Sequence, residues 1–243
     1  MKMINNNELK YIQSFAHKKH WAQESVFIVE GPKMVEEAIK ANCIIEKIYG
    51  TTAWLDEQPV LGVPVETVDD IMLSRMSQLQ TANQVIALVR KHTTETQLVY
   101  ADKMTLLLDG IQDPGNLGTI IRTADWFGIE QIVVTADTAN LYNPKVIQST
   151  MGSCFRVTVR SMDISELLSK NTLPVLGALL TGTSIYEKKL PPAGFLMIGN
   201  ESKGIRVELQ KFITDSISIP RFGGAESLNA AVAAGILLSH WKS

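Results

Sequence analysis

The second half of the chain alternates short apolar runs with helical patterns, and this alternation constrains the fold more than any other feature. Runs such as TLLLD, QIVVTA, PVLGALL and GFLMIGN contain few polar residues, as strands do when both of their faces are covered. Helical patterns lie between them, over residues 116–127, from NPKVIQSTMG, over 163–169, from about Val207 and in SLNAAVAAGILLSHW. With further strands at FRVTV and SISIP, this order predicts an α/β domain with a doubly wound, mostly parallel sheet.

The first half predicts a smaller α/β unit. Its expected elements are a helix from Asn7 or Glu8 to about Lys18, strand SVFIVEG, a helix that Pro32 starts, strands IIEKIYG and VPVETV, a helix from Asp69 or Asp70, and strand NQVIALVR. The polar stretch KHTTETQ, residues 91–97, lacks periodicity and is the predicted linker. We therefore predict domains over residues 1–92 and 103–243.

Composition and charge limit the class of protein. Hydrophobic residues make up 45% of the 243 residues and charged residues 20%, which is a globular mixture. The sequence has no apolar run as long as a membrane span and no secretory leader, so we expect a cytoplasmic protein without a membrane partner. The net charge is −2, so binding of nucleic acid would require a local basic patch.

One such patch lies near the amino terminus, where only Glu8 opposes the basic residues up to position 23; its members are Lys2, Lys10, His17, Lys18, Lys19 and His20. A solvated helix face explains the same residues and is favoured by composition alone. His17, His20 and Glu24 could share a helical face, but no fourth ligand is evident and the neighbours are basic. We therefore predict no metal site.

Three polar loops follow predicted strands, at residues 109–116, 199–206 and 220–227. In open α/β sheets, ligands bind outside the carboxyl ends of the strands, so these loops form the candidate site. The dinucleotide fingerprint, the P-loop and the G-x-S-x-G nucleophile elbow are all absent from the sequence. The site is therefore not expected to use any of these three devices.

The first loop raises the question of what Arg122 does. The sequence predicts a turn at residues 114–115 and a helix N-cap at Asn116. Gly118 lies one helical turn before Arg122, and it leaves room for the guanidinium to reach toward the helix N-terminus, which attracts anions. A surface ion pair with Asp125 is the alternative, and the spacing leaves both interpretations open.

The other two loops contain charged and capping residues. In IGNESKG, Glu201 and Lys203 follow a buried strand, and Gly199 allows a ligand to approach the backbone, although a simple charged turn has the same composition. In the third loop, Ser227 is the predicted N-cap and Asn229 is expected in the first helical turn. The small-sided helix that follows is expected to be buried whatever the function.

Together, DGIQDPGNLGTIIRTADWFGI, MIGNESKGI and ISIPRFGGAESLNAAVAAGILL resemble the three motifs of the SpoU, or TrmH-like, RNA 2′-O-ribose methyltransferases of the SPOUT superfamily. The first half, especially FIVEGPKMVEEAI, is similar to the small RNA substrate-binding domain of that family. The resemblance implies a homodimer with a SPOUT catalytic domain at the carboxyl end. It also implies that S-adenosylmethionine binds there in a deep trefoil knot.

The resemblance also implies the site residues. The cofactor is expected to contact mainly the backbone of Gly199, Ile219 and Leu228, with GALL at 177–180 beside it. The implied catalytic residues are Asn116, Arg122, Glu201, Ser227 and Asn229. Because a guanidinium is almost always protonated, we expect Arg122 to hold a phosphate and stabilise the developing negative charge rather than act as a base.

The predicted function is S-adenosylmethionine-dependent methylation of a ribose 2′-hydroxyl in structured RNA, with rRNA favoured over tRNA because of the extra domain. One alternative is a catalytically silent RNA-binding factor in ribosome assembly; the intact Arg122, Glu201 and Asn229 argue against it. Another is a small-molecule enzyme, which the absent phosphate-binding glycine patterns disfavour. The cationic track expected to hold the RNA backbone comprises Lys10, Lys18, Lys19, Arg122 and Arg221.

Overall fold

The computed structural model describes residues 4–91 and 98–242. The chain divides into two compact units, Met1–Glu95 with Tyr142–Phe155 and Thr96–Leu141 with Arg156–Ser243. The first unit thus includes a short segment that the predicted boundaries at 92 and 103 assign to the other domain. The predicted linker lies outside the described residues, apart from Lys91.

The first unit is built on a mixed four-stranded sheet in the order β1-β4-β2-β3. Strand β4 is antiparallel to both β1 and β2, whereas β2 and β3 are parallel. Its elements are α1 (Asn6–Ser14), α2 (Lys18–Gln23), β1 (Val26–Glu30), α3 (Pro32–Lys40), β2 (Ile45–Gly50), α4 (Thr52–Asp56), β3 (Val65–Thr67), α5 (Asp70–Met76) and β4 (Val85–Arg90).

The predicted helix up to Lys18 is wrong at its end, because α1 stops at Ser14 and α2 begins separately at Lys18. The side chain of Phe15 is buried in the core, and the chain turns at this residue. The backbone carbonyl of Phe15 accepts a hydrogen bond from the indole Nε1 of Trp21 at 2.7 Å. A buried aromatic and this hydrogen bond together stabilise a break that helical periodicity alone did not reveal.

A buried carboxylate, Glu30 at the end of β1, makes the stability of the first unit depend on pH. It is 4% exposed and accepts hydrogen bonds from Ser77 Oγ at 2.5 Å and from the backbone N–H of Gln78 at 2.7 Å. Burial raises the pKa of Glu30 above its usual value of 4.5, although the two hydrogen bonds oppose the rise. Because the folded carboxyl holds its proton more tightly, the free energy of unfolding falls as pH rises from 4.5 through the folded-state pKa.

We expect Glu30→Gln to remove this pH dependence, because glutamine keeps an oxygen acceptor but carries no charge. Relative to wild type, the variant's free energy of unfolding should rise as the pH increases from 4.5, measured by urea titration at several pH values. The same substitution at the exposed Glu57 controls for the loss of a carboxylate as such. A difference between Glu30→Gln and wild type that stays constant with pH would contradict the prediction.

The second unit contains a six-stranded sheet in the order β10-β8-β9-β5-β6-β7. Every pair of neighbouring strands in it is parallel, which confirms the predicted parallel sheet. The elements from residue 98 onward are β5 (Met104–Asp109), α6 (Pro114–Trp126), β6 (Gln131–Val134), α7 (Pro144–Thr150), β7 (Thr158–Ser161), α8 (Ile164–Ser169), β8 (Val175–Ser184), β9 (Gly194–Gly199), α9 (Val207–Gln210), β10 (Asp215–Ser218) and α10 (Ala230–Lys242). Of these, α7 belongs to the first unit, where it packs on β1.

The edges of two strands differ from the prediction. The run FRVTV was expected to be a strand from its start, but Phe155 lies in a 3₁₀ turn over Ser153–Phe155 and β7 begins only at Thr158. Strand β8 continues to Ser184, beyond the end of the predicted PVLGALL. Tertiary pairing sets both limits, since β7 pairs with β6 from Thr158 and the end of β8 pairs again with β10.

The pairing of β8 with β10 contains a large irregularity. Ser216 lies opposite Gly177, but the next residue, Ile217, lies opposite Thr183, so residues 178–182 have no counterpart in β10. A Cβ atom on Gly182 would lie 2.5 Å from the backbone carbon of Ile217, so only glycine allows β8 to return to its partner here. The displaced residues border the cavity described below.

Within residues 4–91 and 98–242, no helix combines the length and the apolar character that crossing a membrane requires.

Candidate active site

The carboxyl ends of the strands bring the three predicted loops together at one edge of the second sheet. Strands β5 and β9 pair in parallel, and their last residues, Asp109 and Gly199, lie opposite each other. The loops at 109–116 and 199–206 therefore leave the sheet side by side. The third loop, 220–227, follows β10 and leads to α10, which packs against α6.

Asn116 links these three loops through its carboxamide. Its Nδ2 donates to Glu201 Oε1 at 2.5 Å, and its Oδ1 accepts from Asn229 Nδ2 at 2.9 Å. Three of the five predicted catalytic residues, one from each motif, thus form a continuous hydrogen-bonded chain. We call these residues, Asn116, Glu201 and Asn229, the polar triad.

The backbone of α10 determines the direction in which the hydrogen bonds of the polar triad run. Asn229 Oδ1 accepts hydrogen bonds from the backbone N–H groups of Ala231 at 2.9 Å and Val232 at 3.3 Å. The amide nitrogen of Asn229 must then face Asn116, which in turn directs the amide nitrogen of Asn116 to Glu201. A helix N-terminus thus orients a carboxylate two residues away along the hydrogen-bonded chain.

Both predicted helix caps at this site are wrong, and the corrections explain why the polar triad can form. Helix α6 begins at Pro114, and the Asp113 side chain caps it by accepting from the backbone N–H of Asn116 at 2.8 Å. Proline is favoured at the first helical position, which moves the start of α6 earlier than the predicted Asn116. Asn229, rather than Ser227, accepts from the first N–H groups of α10.

Arg122 is exposed on α6. It makes no hydrogen bond or ion pair with any residue that the structure describes, the polar triad included. The alternative partner, Asp125, instead accepts two hydrogen bonds from Arg156, at 2.9 and 2.8 Å, so the proposed surface pair with Arg122 is wrong. The guanidinium of Arg122 therefore has no polar partner among the described residues and is accessible to an anionic ligand.

A cavity of about 940 Å³ lies beside the polar triad. Residues 178–181 of β8, the loop 198–205 and residues 217–228 form most of its wall. The predicted cofactor residues Gly199, Ile219 and Leu228 all line it, as do the predicted catalytic residues Glu201 and Ser227. Ser227 makes no hydrogen bond with the described part of the chain, and it is exposed with the rest of 221–229.

The close fit at Gly199 explains why a glycine ends β9. A Cβ atom at this position would lie 2.2 Å from the backbone carbonyl carbon of Gly204 and 2.3 Å from the backbone nitrogen of Ile205. The turn closes through two backbone hydrogen bonds between Asn200 and Gly204, at 3.2 and 2.8 Å, and Gly204 has a φ of +68°. The wall of the cavity is therefore formed by backbone that passes directly over Gly199.

An ionic cluster that the sequence did not predict lies at the same edge of the sheet. Asp109, Thr135, Asp137 and Arg206 contact one another here. Burial opposes a low pKa at Asp137, but hydrogen bonds from Thr135 and Arg206 outweigh it and lower the pKa. The hydrogen bond to Asp137 raises the pKa of Arg206. The one feature of the sequence that could have indicated this cluster is Asp109, a charged residue at the end of the otherwise apolar strand TLLLD.

The remaining predicted features are not part of the lining of this cavity. Lys10, His17, Lys18 and Lys19 are exposed on the first unit, whereas Lys2 is outside the described residues. A second cavity, of about 560 Å³, lies where β5, β8 and β9 begin, at the opposite edge of the sheet from the three loops. Over the two described ranges, no group of three or more His, Cys, Asp or Glu side chains could hold a metal ion.

Comparison with known proteins relates this site to one family. Residues 103–239 match the model of the SpoU rRNA Methylase family, and residues 6–87 match an MRM3-like substrate binding domain. The chain is 32% identical over 242 residues to the 23S rRNA (guanosine(2553)-2′-O)-methyltransferase RlmP of Bacillus subtilis, covering 98% of this chain and 96% of that protein.

Solved structures agree with the sequence matches. A TrmH-family structure from Porphyromonas gingivalis is 35% identical and superposes with a TM-score of 0.87, covering 99% of this chain and 98% of that one. The AdoMet-bound rRNA methyltransferase from Sinorhizobium meliloti is 26% identical with a TM-score of 0.85, covering 100% of this chain and 96% of that one.

Proposed function

This chain belongs to the SpoU rRNA methylase family, and we propose that it transfers a methyl group from S-adenosylmethionine to a ribose 2′-hydroxyl of ribosomal RNA. The observation that carries the proposal is the polar triad, because it joins one residue from each of the three motifs at the wall of a ligand-sized cavity. The B. subtilis relative acts on guanosine in 23S rRNA, which makes 23S rRNA the first substrate to test.

The cavity suits S-adenosylmethionine in size and in chemistry. Its volume of about 940 Å³ lies within the range of small-molecule sites, which is roughly 300–1,000 Å³. Leu179, Leu180, Ile219 and Leu228 offer apolar surface for an adenine ring, and the exposed backbone around Gly199 offers hydrogen-bonding groups. When bound, S-adenosylmethionine supplies a methyl carbon made electrophilic by its sulfonium. We assign its binding to Gly199, Ile219 and Leu228.

The polar triad, in this proposal, positions the reacting groups. Glu201 lines the cavity, and its carboxylate is held by Asn116, whose own orientation depends on Asn229. Side chains held in this way keep a fixed geometry as substrates bind, and positioning of two reactants contributes several kcal/mol to catalysis. Ser227, exposed at the rim with no hydrogen bond to the described residues, is assigned to contact the RNA substrate.

Arg122 acts, in this proposal, on the acceptor nucleotide. A 2′-hydroxyl is a poor nucleophile until its proton leaves, and the negative charge that develops on the oxygen must be stabilised. An exposed guanidinium with no partner in residues 4–91 and 98–242 is available to bind the neighbouring phosphate and to stabilise that oxygen. The exposed Lys10, Lys18, Lys19 and Arg221 supply further cations for contacts with the RNA backbone.

We further propose the homodimer and the trefoil knot that the family resemblance implies. Exposed apolar side chains support a dimer: Phe222 is 96% exposed, Trp126 on α6 is 85% exposed and Val232 on α10 is 51% exposed. Residues 178–182, which leave the pairing of β8 with β10, and the packing of α10 against α6 and β9 support the knot. A cytoplasmic location follows from rRNA as the substrate.

The catalytically silent alternative is not supported. Asn116, Glu201 and Asn229 form one connected chain, and Arg122 is free to bind an anion. The B. subtilis relative, similar over nearly its whole length, is named as an enzyme.

The proposal is tested by incubating the purified protein and S-adenosylmethionine labelled on its methyl group with transcripts of 23S rRNA, 16S rRNA and a tRNA pool. We expect label in rRNA at a position that becomes resistant to alkaline cleavage, as a 2′-O-methyl group requires. Label in tRNA alone would redirect the substrate assignment. Failure of every RNA to accept label, with protein that is folded, would contradict the proposed activity.

A further inference from the structure

Arg206 lies at the end of the second loop, and its guanidinium makes polar contacts with three other residues of the second unit. Its side chain is 39% exposed, and it does not line the cavity. Its Nε lies 2.7 Å from Asp109 Oδ1, and its Nη2 donates to Asp137 Oδ1 at 2.5 Å. Nη2 also lies 3.3 Å from Thr135 Oγ1. No part of the proposed reaction uses these contacts.

The contact with Asp109 fixes residue 206 relative to the sheet. The Asp109 side chain is 1% exposed, so its charge must be compensated by groups of the protein. Arg206 supplies two of these groups, because its backbone N–H donates to Asp109 Oδ2 at 2.8 Å while its guanidinium lies against Oδ1. The contact at Oδ1 is an ion pair without hydrogen-bond geometry, and Oδ1 has no other partner among the described residues. If either group of Arg206 moved, the buried carboxylate oxygen that it faces would lose its compensation.

A second set of contacts fixes the other end of the same loop. Asn200 Nδ2 donates to the carbonyl oxygen of Gly110 at 2.9 Å, and the N–H of Gly110 donates to Thr135 Oγ1 at 2.9 Å. Thr135 also accepts from Arg206, so both ends of the loop connect to one hydroxyl group. The loop 200–206 is therefore held at its two ends, and Glu201 and Gly204 lie between these points.

We propose that Arg206 is a positioning residue for the methyl donor, acting through the loop 200–206 with Asp109 and Asp137 as its anchors. This inference deepens the proposed function and rests on it. The cavity wall over Gly199 consists of backbone from residues 204–205, directly before Arg206. Release of the Arg206 anchor lets this backbone move from the donor's binding surface, while Glu201 stays attached to Asn116. Donor affinity is therefore more sensitive to Arg206 than the rate of methyl transfer.

The test compares Arg206→Met and Asp137→Asn with wild type in full-length protein. We expect Arg206→Met to weaken binding of S-adenosylmethionine at least about tenfold by calorimetry, while kcat at saturating donor falls no more than about threefold. Asp137→Asn keeps the buried Asp109 contact and removes only one charge, so we expect binding about threefold weaker. Thermal unfolding of each variant is recorded in parallel.

Arg156→Met is the matched control, since Arg156 is 43% exposed, pairs with Asp125 in the same unit and does not line the cavity. Its donor affinity should stay within about twofold of wild type, even where its melting temperature falls. A folded Arg206→Met protein that binds donor as wild type does would overturn the inference. If Arg206→Met does not fold, unchanged donor affinity in Asp137→Asn overturns it instead. If wild-type protein binds no donor, the proposed function itself is contradicted. The results for the variants test only the role of Arg206.

Discussion

Replacing Arg122 with alanine is expected to lower kcat for methyl transfer by about 100-fold to 1,000-fold, as the loss of a charge-stabilising group typically does. The dissociation constant for S-adenosylmethionine should change by less than about threefold, since Arg122 does not line the cavity. The fold should be equally unaffected. Arg122 is exposed and has no partner among the described residues, and such substitutions change stability by no more than about 0.5 kcal/mol.

Single-turnover assays with labelled donor and rRNA measure the rate, and calorimetry measures donor affinity. Arg122→Lys is the informative companion, because lysine keeps the charge but lacks the planar fork that binds phosphate oxygens in pairs. We expect it to recover part of the lost rate if charge stabilisation dominates. Turnover of Arg122→Ala at a tenth or more of wild type would remove Arg122 from the mechanism.

The second large effect is expected for Gly199→Ala. The added Cβ would lie 2.2 Å from the carbonyl carbon of Gly204, which is backbone and cannot rotate away as a side chain can. The chain at 204–205 must move, at a cost of about 1–3 kcal/mol or more in the free energy of unfolding. Because that backbone forms the cavity wall, we also expect donor affinity to fall at least about tenfold.

Gly235→Ala is the matched control for Gly199→Ala. Gly235 lies inside α10, where an added Cβ would meet only Thr123 Cγ2 at an ordinary distance of 3.9 Å. In a helix interior, alanine is favoured over glycine by roughly 0.5–1 kcal/mol, so this variant should be more stable than wild type. Chemical denaturation of both variants gives the two free energies. Equal stability of Gly199→Ala and wild type would show that the turn at 200–204 is looser than the structure indicates.

Much of the second unit was predictable because the apolar composition of its strand segments indicates which residues are buried. Strands β5 and β9 are apolar over nearly their whole length, and both are buried in the centre of the sheet. A parallel arrangement follows from such runs alternating with helices, and it places every loop after a strand at the same edge. Hydrophobic periodicity therefore predicted the edge of the sheet at which the cavity lies.

Local patterns were less reliable where several residues could play the same part. Asn116 and Ser227 are both good N-cap residues, yet Asp113 and Asn229 cap the two helices. Capping preferences differ by only fractions of a kcal/mol among Ser, Asn and Asp. A proline at the next position, or a contact with another segment of the same protein, therefore decides which residue caps the helix. The consequence reaches the polar triad, because an Asn116 whose Oδ1 capped the helix could not have used that oxygen to accept from Asn229.

The sequence by itself determined the parallel α/β architecture and the edge of the sheet at which the three polar loops meet, since both depend on hydrophobic periodicity along the chain. Only the tertiary structure decided that Asn116 lies between Glu201 and Asn229, that Asp125 pairs with Arg156 rather than with Arg122, and that Arg206 compensates the buried Asp109. These contacts join residues up to 113 positions apart. Distance and desolvation in the folded chain select which residues form these contacts, and neither can be read from the local sequence.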